Sequence, residues 1–122
     1  KTSDLLGASS AALLNAAKSL AGLPDDLLMI APSIIEPIQK LKTSILKNHN
    51  PRLHSDETLI ALSMSANTNP VAKKALDAIG GLEGCEAHST VILSQVDQDV
   101  YRKLGINLTC EPRYQTKKLY HK

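Results

Sequence analysis

His88-Ser89-Thr90-Val91-Ile92-Leu93 reads as a strand, and Ser94 caps a short helix through Val96, Val100 and Leu104. Gly105 closes that helix, and Ile106-Asn107-Leu108-Thr109-Cys110 alternates as a second strand. Strand, helix and strand in so short a span make a tight βαβ unit, which implies parallel pairing and a right-handed crossover. Pro112 has no N–H for a ladder and breaks the sheet. This stretch sets the fold class as α/β.

Upstream of it the pattern is helical. Residues 8–21 read as a helix that Ser9 or Ser10 can cap and that Gly22 with Pro24 ends. It is apolar on most faces, with Asn15, Lys18 and Ser19 as a narrow polar strip, so it is expected to be buried. Leu27-Leu28-Met29-Ile30-Ala31 is a short apolar run that reads as a buried strand. A helix from about Ser33 to Lys47 follows, with Ile34, Ile38, Leu41, Ile45 and Leu46 on its inner face. Pro37 is tolerated only near a helix start, so the regular part is expected to begin near Glu36. After a polar loop over residues 48–54, Ser55 reads as the N-cap of a helix carrying Leu59, Ile60 and Leu62. Asn69 caps the next helix, Pro70 takes its first position, and it runs to Gly80-Gly81.

The chain has 122 residues and 43% hydrophobic residues, with no Phe and no Trp. One domain with an aliphatic core follows. Such a core offers no stacking platform for bases, which argues against single-stranded nucleic acid as a partner. The net charge of +2 is unevenly placed. Arg113, Lys117, Lys118 and Lys122 lie in the last ten residues with no acid among them, leaving ten bases against twelve acids in residues 1–112. The body is therefore no polyanion binder, and the basic tail reads as a solvated end. No window suits a membrane span and no signal-type segment opens the chain. Cys85 and Cys110 are too few for a disulfide framework, so the expected compartment is cytoplasmic. An opening Lys1-Thr2-Ser3-Asp4 without Met, leading at once into apolar sequence, reads as a domain cut from a longer chain.

Four polar clusters are candidates for chemistry. Gly7-Ala8-Ser9-Ser10, at a helix N-terminus, offers free N–H groups to an anion, with an ordinary cap as the preferred reading. His49-Asn50-Pro51-Arg52-Leu53-His54-Ser55-Asp56-Glu57 gathers two imidazoles, a guanidinium and two carboxylates around a helix start, and reads equally as a phosphate or carboxylate site and as a solvated connection with a good cap. Cys85 and His88 are three residues apart and with Cys110 suggest a metal, although the second close ligand pair that zinc sites usually show is absent. Thr109-Cys110-Glu111-Pro112 ends the last strand, where ligands gather in parallel sheets, and Ser94-Gln95-Val96-Asp97 is expected at the same edge. Packing is preferred over reactivity for both thiols. Lys1-Thr2-Ser3 lacks the glycines that would make it the end of a phosphate loop.

Several long stretches carry a family resemblance: Asp4-Leu5-Leu6-Gly7-Ala8-Ser9-Ser10-Ala11, Asn50-Pro51-Arg52-Leu53-His54 and residues 84–94. Residues 103–112 and 114–122 add to it. Together they resemble the C-terminal part of the bacterial domain-of-unknown-function family 1846, also termed uncharacterised protein family 371. The resemblance implies a longer parent polypeptide whose N-terminal portion holds a phosphate-loop-like segment. It also implies a three-layer α/β sandwich, with a small, mostly parallel sheet flanked by helices, of cytidine-deaminase-type topology without the zinc motif. No catalytic residues come with it, and neither His-Glu-x-x-His nor Gly-x-Ser-x-Gly is present.

The leading expectation is a non-catalytic helper domain of a nucleotide- or phosphate-using protein. Arg52, His54, His88 and Ser89 would supply part of a ligand pocket, and helix 8–21 would contact the rest of its own polypeptide. The alternatives are a structural domain that self-associates as a homo-oligomer, and a metal- or thiol-dependent enzyme using Cys85, His88 and Cys110.

Overall fold

The computed structural model describes residues 6–110. Lys1-Thr2-Ser3, Pro112 and the basic tail lie outside the described residues.

Alanine and leucine, the strongest helix formers, build α1 (Ala8–Ala21). Gly22 ends it at φ 75°, and the Gly22 and Leu23 N–H groups bond back to Ser19 and Lys18 carbonyls. The start differs from expectation. Gly7 is the N-cap, without a side-chain bond. Ser9 and Ser10 sit inside the first turn and spend their hydroxyls on other elements, Ser10 on the Leu53 carbonyl at 2.9 Å.

Lys18 is not on a solvent strip. It is buried, and its ammonium donates to the Asp25 and Leu27 carbonyls at 2.8 and 2.9 Å. This corrects the reading of residues 27–31 as a strand. The Leu27 carbonyl is taken by Lys18 and the Met29 carbonyl by the Ser65 hydroxyl at 2.7 Å, so side chains satisfy backbone that a ladder would otherwise serve. Met29 and Ile30 still enter the core, so the run is buried without being a strand.

Next, α2 (Pro32–Lys40) starts on Pro32 rather than near Glu36 and carries Pro37 inside it. It runs into a π-turn over Leu41–Ile45. That turn bonds i to i+5 and shifts the angular spacing of the following side chains. Ile35 is buried and Ile34 and Ile38 are half-buried, as an inner face requires. Leu41, Ile45 and Leu46, expected inside, are exposed, and Lys42 takes the inward position at 3% exposure. Its ammonium donates to the Arg52 carbonyl and to Glu57 Oε1 at 2.6 and 2.8 Å, pinning the polar loop to the next helix.

That helix is α3 (Ser55–Ala66), and α4 (Pro70–Ala78) continues into a 3-10 turn over Ile79–Leu82. The N-cap of α3 is His54, whose N–H donates to Glu57, and not Ser55, which lies in the first turn. Asn69 and Pro70 start α4 as the sequence predicts. Ala61, Ala72, Ala75 and Ala17 are fully buried and let α1, α3 and α4 approach closely around Leu13, Leu53 and Leu62. Leu53 also forms a parallel bridge with Leu6.

The βαβ unit closes the described chain: β1 (Glu86–Ser89), α5 (Gln95–Lys103) and β2 (Asn107–Cys110). The strands pair in parallel, with Glu86 opposite Asn107 and Ser89 opposite Cys110. Gly84 donates to the Gly105 carbonyl at 2.8 Å and opens the ladder there. This register makes β1 earlier and shorter than residues 88–93. Thr90 to Leu93 lie beyond Ser89 in a loop, with Val91 and Ile92 about half exposed. The fold is α/β, five helices with a small parallel sheet of two strands among the described residues. No described helix is long and apolar enough to cross a membrane.

Candidate functional site

Three helices, α1, α3 and α5, begin at the same place, and Asp97 in the first turn of α5 stands between them. Its Oδ1 accepts from the Ser55 N–H at 2.9 Å and the Ser55 hydroxyl at 2.5 Å. Its Oδ2 accepts from the Ser9 hydroxyl at 2.8 Å and lies 3.9 Å from His54 Nδ1. The Asp97 N–H in turn donates to Ser94, the cap of α5. Burial alone would raise this carboxyl, but the hydrogen bonds from Ser55, Ser9 and Ser94 outweigh it and hold it below its ordinary 3.8. The carboxylate also meets the positive ends of three helix dipoles. Next to it, Tyr101 donates to the Ser9 carbonyl at 2.7 Å. Burial, then the negative Asp97, push its phenol up to about 12.

Two open clefts flank this hub. The smaller, about 200 Å³, is lined by Arg52, His54, Asn50 and Ser94. The larger, about 370 Å³, is lined by His88, Ser89, Ala12 and Tyr101. Ala8, Ser9 and Leu93 line both, so the clefts meet along the start of α1. The four sequence-predicted ligand residues thus divide into two pairs on adjoining clefts. His88 Nδ1 lies 2.9 Å from Thr109 Oγ1 across the strand pair. The Ser89 hydroxyl donates to the Val91 carbonyl at 2.6 Å and accepts from the Val91 N–H, turning the chain off the sheet.

Asp97 as the hub was missed in the sequence. The signal was there: Ser94-x-x-Asp97 has a capping-box spacing, and Ser9 and Ser55 each sit at a helix start. What the sequence cannot show is that the carboxylate faces the other two helices.

The geometry argues against bond chemistry at the hub. The Ser55 hydroxyl bonds directly to a carboxylate with no imidazole between them, and Ser55 is fully buried. A nucleophile needs a base and access to substrate, and this hydroxyl has neither in the required arrangement. Cys85 lies just before β1, while Cys110 ends β2 opposite Ser89. At a rise of about 3.3 Å per residue they stand on the order of 10 Å apart along the sheet. Among the described residues, no three of His, Cys, Asp and Glu gather in a metal-holding arrangement.

The family model described as "Domain of unknown function DUF1846, C-terminal" matches residues 1–120. A UPF0371 protein of Corynebacterium diphtheriae is 54% identical over 121 residues, covering 99% of this chain and 24% of that protein. A UPF0371 protein of Corynebacterium glutamicum is 52% identical, and one of Streptococcus pneumoniae 49%, each over the whole chain and 25% of the relative. The chain spans about a quarter of the length of the curated relatives it matches.

Proposed function

The chain belongs to the DUF1846 family, matching its C-terminal domain, and from that premise we propose that it is a non-catalytic helper domain of a cytoplasmic protein that uses a nucleotide or another phosphate ligand. It forms one wall of the ligand site and contacts the rest of its own polypeptide. One observation carries the reading: Arg52 and His54 line a cleft at the place where α1, α3 and α5 begin. Arg52 is exposed and His54 partly so, while the Asp97 carboxylate is taken up by serine donors behind them. A planar guanidinium beside a cleft suits a phosphate oxygen pair. The His88 and Ser89 cleft adjoins it along the start of α1.

Isothermal titration of the full-length protein with nucleotides and sugar phosphates tests this. At least one ligand is expected to bind, and Arg52→Ala should weaken it about tenfold or more, the worth of one charge-assisted contact. If every measured affinity is unchanged by Arg52→Ala, the reading fails.

A second reading, self-association, draws on Leu41, Ile45 and Leu46, exposed at 46%, 68% and 60% around the π-turn. It expects the 122-residue chain to sediment as a dimer and Ile45→Lys to return it to a monomer. A strict monomer at high concentration would remove it.

A further inference from the structure

We propose that the larger cleft, between the alanine face of α1 and β1, is a docking slot for an apolar segment from the preceding part of the full-length polypeptide. This deepens the helper-domain reading by naming the surface and its occupant.

The sheet itself asks for cover. Parallel strands occur with helices packed over both faces. Here α5 packs against β2, while among the described residues β1, apart from Ala87 against the core, makes no comparably close helix contact. Instead α1 stands across about 370 Å³ of open space. Of the α1 residues that line it, Ala8 and Ala12 are exposed and too short to fill it, and Ser9 spends its hydroxyl on Asp97. Tyr101 and Leu108 give it a largely apolar floor. On its rim and just beyond, Val91, Ile92 and Val96 are exposed at 50%, 53% and 45% in and beside a connecting loop. Such loops are ordinarily polar, and contiguous exposed apolar side chains mark an interaction site.

The occupant follows from length and continuity. The family model is described as C-terminal, and the relatives are about four times as long as this chain. In them about three quarters of the polypeptide lies outside this C-terminal domain, and what precedes the domain enters it through the residues just before Ala8. Gly7 lines the smaller cleft and Ala8 lines both. A tethered segment arriving there is present at high effective concentration in every molecule, an advantage that a second copy or a separate protein lacks.

The test is photo-cross-linking in the full-length protein, with p-benzoylphenylalanine at Val91 and, separately, at Ala12. Peptide mapping is expected to find intramolecular cross-links to sequence preceding this domain from both positions. Ala12→Glu, which would bring a charge into the slot, should lower the Val91 yield about fivefold or more. Cross-links only between two copies, only within residues 6–110, or none at all would each overturn the proposal. The Val91 map decides the matter even if Ala12→Glu does not fold. A flat nucleotide titration would overturn the ligand reading and leave this cross-link pattern as it is.

Discussion

Asp97 ties three separate elements: its carboxylate accepts from Ser9 of α1 and Ser55 of α3, and its own N–H donates to the Ser94 hydroxyl before α5. Truncating it would leave the Ser55 N–H and two hydroxyls with less than they need in a buried place. Asp97→Ala is therefore expected to cost about 3 kcal/mol in urea unfolding, and Asp97→Asn less, since one acceptor oxygen remains. A loss within error of zero would mean that the three helix starts are held by packing alone. The pH dependence follows from the same contacts. A carboxyl held below its unfolded value contributes stability above about pH 4, and this is lost as pH falls through its folded pKa. Tyr101 works in the opposite sense. Its phenol is raised from 10.0 to about 12, so its contribution is full below its unfolded pKa and is lost across that interval as pH rises. Ultraviolet titration of the phenolate should show one tyrosine ionising near 12. If all three ionise together near 10, the burial of Tyr101 against Asp97 is wrong. Neither Asp97 nor Lys42 was legible as a hub. A first-turn acid and a helical lysine both read as solvated groups, and only the meeting of distant helix starts turns them inward.

At the scale of elements, several starts and stops set by local chemistry were legible, whereas the caps of α1 and α3 and the start of α2 fell on Gly7, His54 and Pro32 instead of Ser9 or Ser10, Ser55 and Glu36. Gly22, Asn69, Pro70, Ser94 and Gly105 punctuate the helices as their backbone preferences require. The 27–31 run, the burial beyond Ile38 and the end of β1 were misread, because carbonyl partners on Lys18 and Ser65, a π-turn and the strand register decided them. Gly22 and Gly105 offer a matched comparison. Both have positive φ, 75° and 81°, where a Cβ is strained. A Cβ on Gly22 would meet open space, but one on Gly105 would lie 2.7 Å from the Glu83 Cγ. Gly22→Ala is expected to cost about 1 kcal/mol, the backbone penalty alone. Gly105→Ala should cost about 1 kcal/mol more, unless the flexible Glu83 side chain gives way. Equal losses in denaturant unfolding would show that Glu83 moves aside freely and does not fix the Gly84–Gly105 hydrogen bond.

The whole molecule divides into a helical body and a thinner βαβ flap. The fold class was legible because a strand-like run, a capped helix and an alternating run in close succession leave few alternatives to a parallel pair. How unequally the two parts are buried was not legible, since burial depends on which elements share a core. Leu13, Leu14, Ala61, Leu62, Ala72 and Ala75 of α1, α3 and α4 are buried. Each strand has four residues that alternate between exposed and half-buried, with none fully buried. Local opening is least costly where few apolar contacts are lost. Amide hydrogen exchange should therefore find the slowest protons in α1 and α3, near the global unfolding free energy. The amides that pair β1 with β2 should exchange at least about tenfold faster, through openings about 1.4 kcal/mol cheaper. Uniform protection across helices and strands would show that the flap and the body unfold as one unit. It would also remove the physical reason for expecting the β1 cleft to need a covering segment.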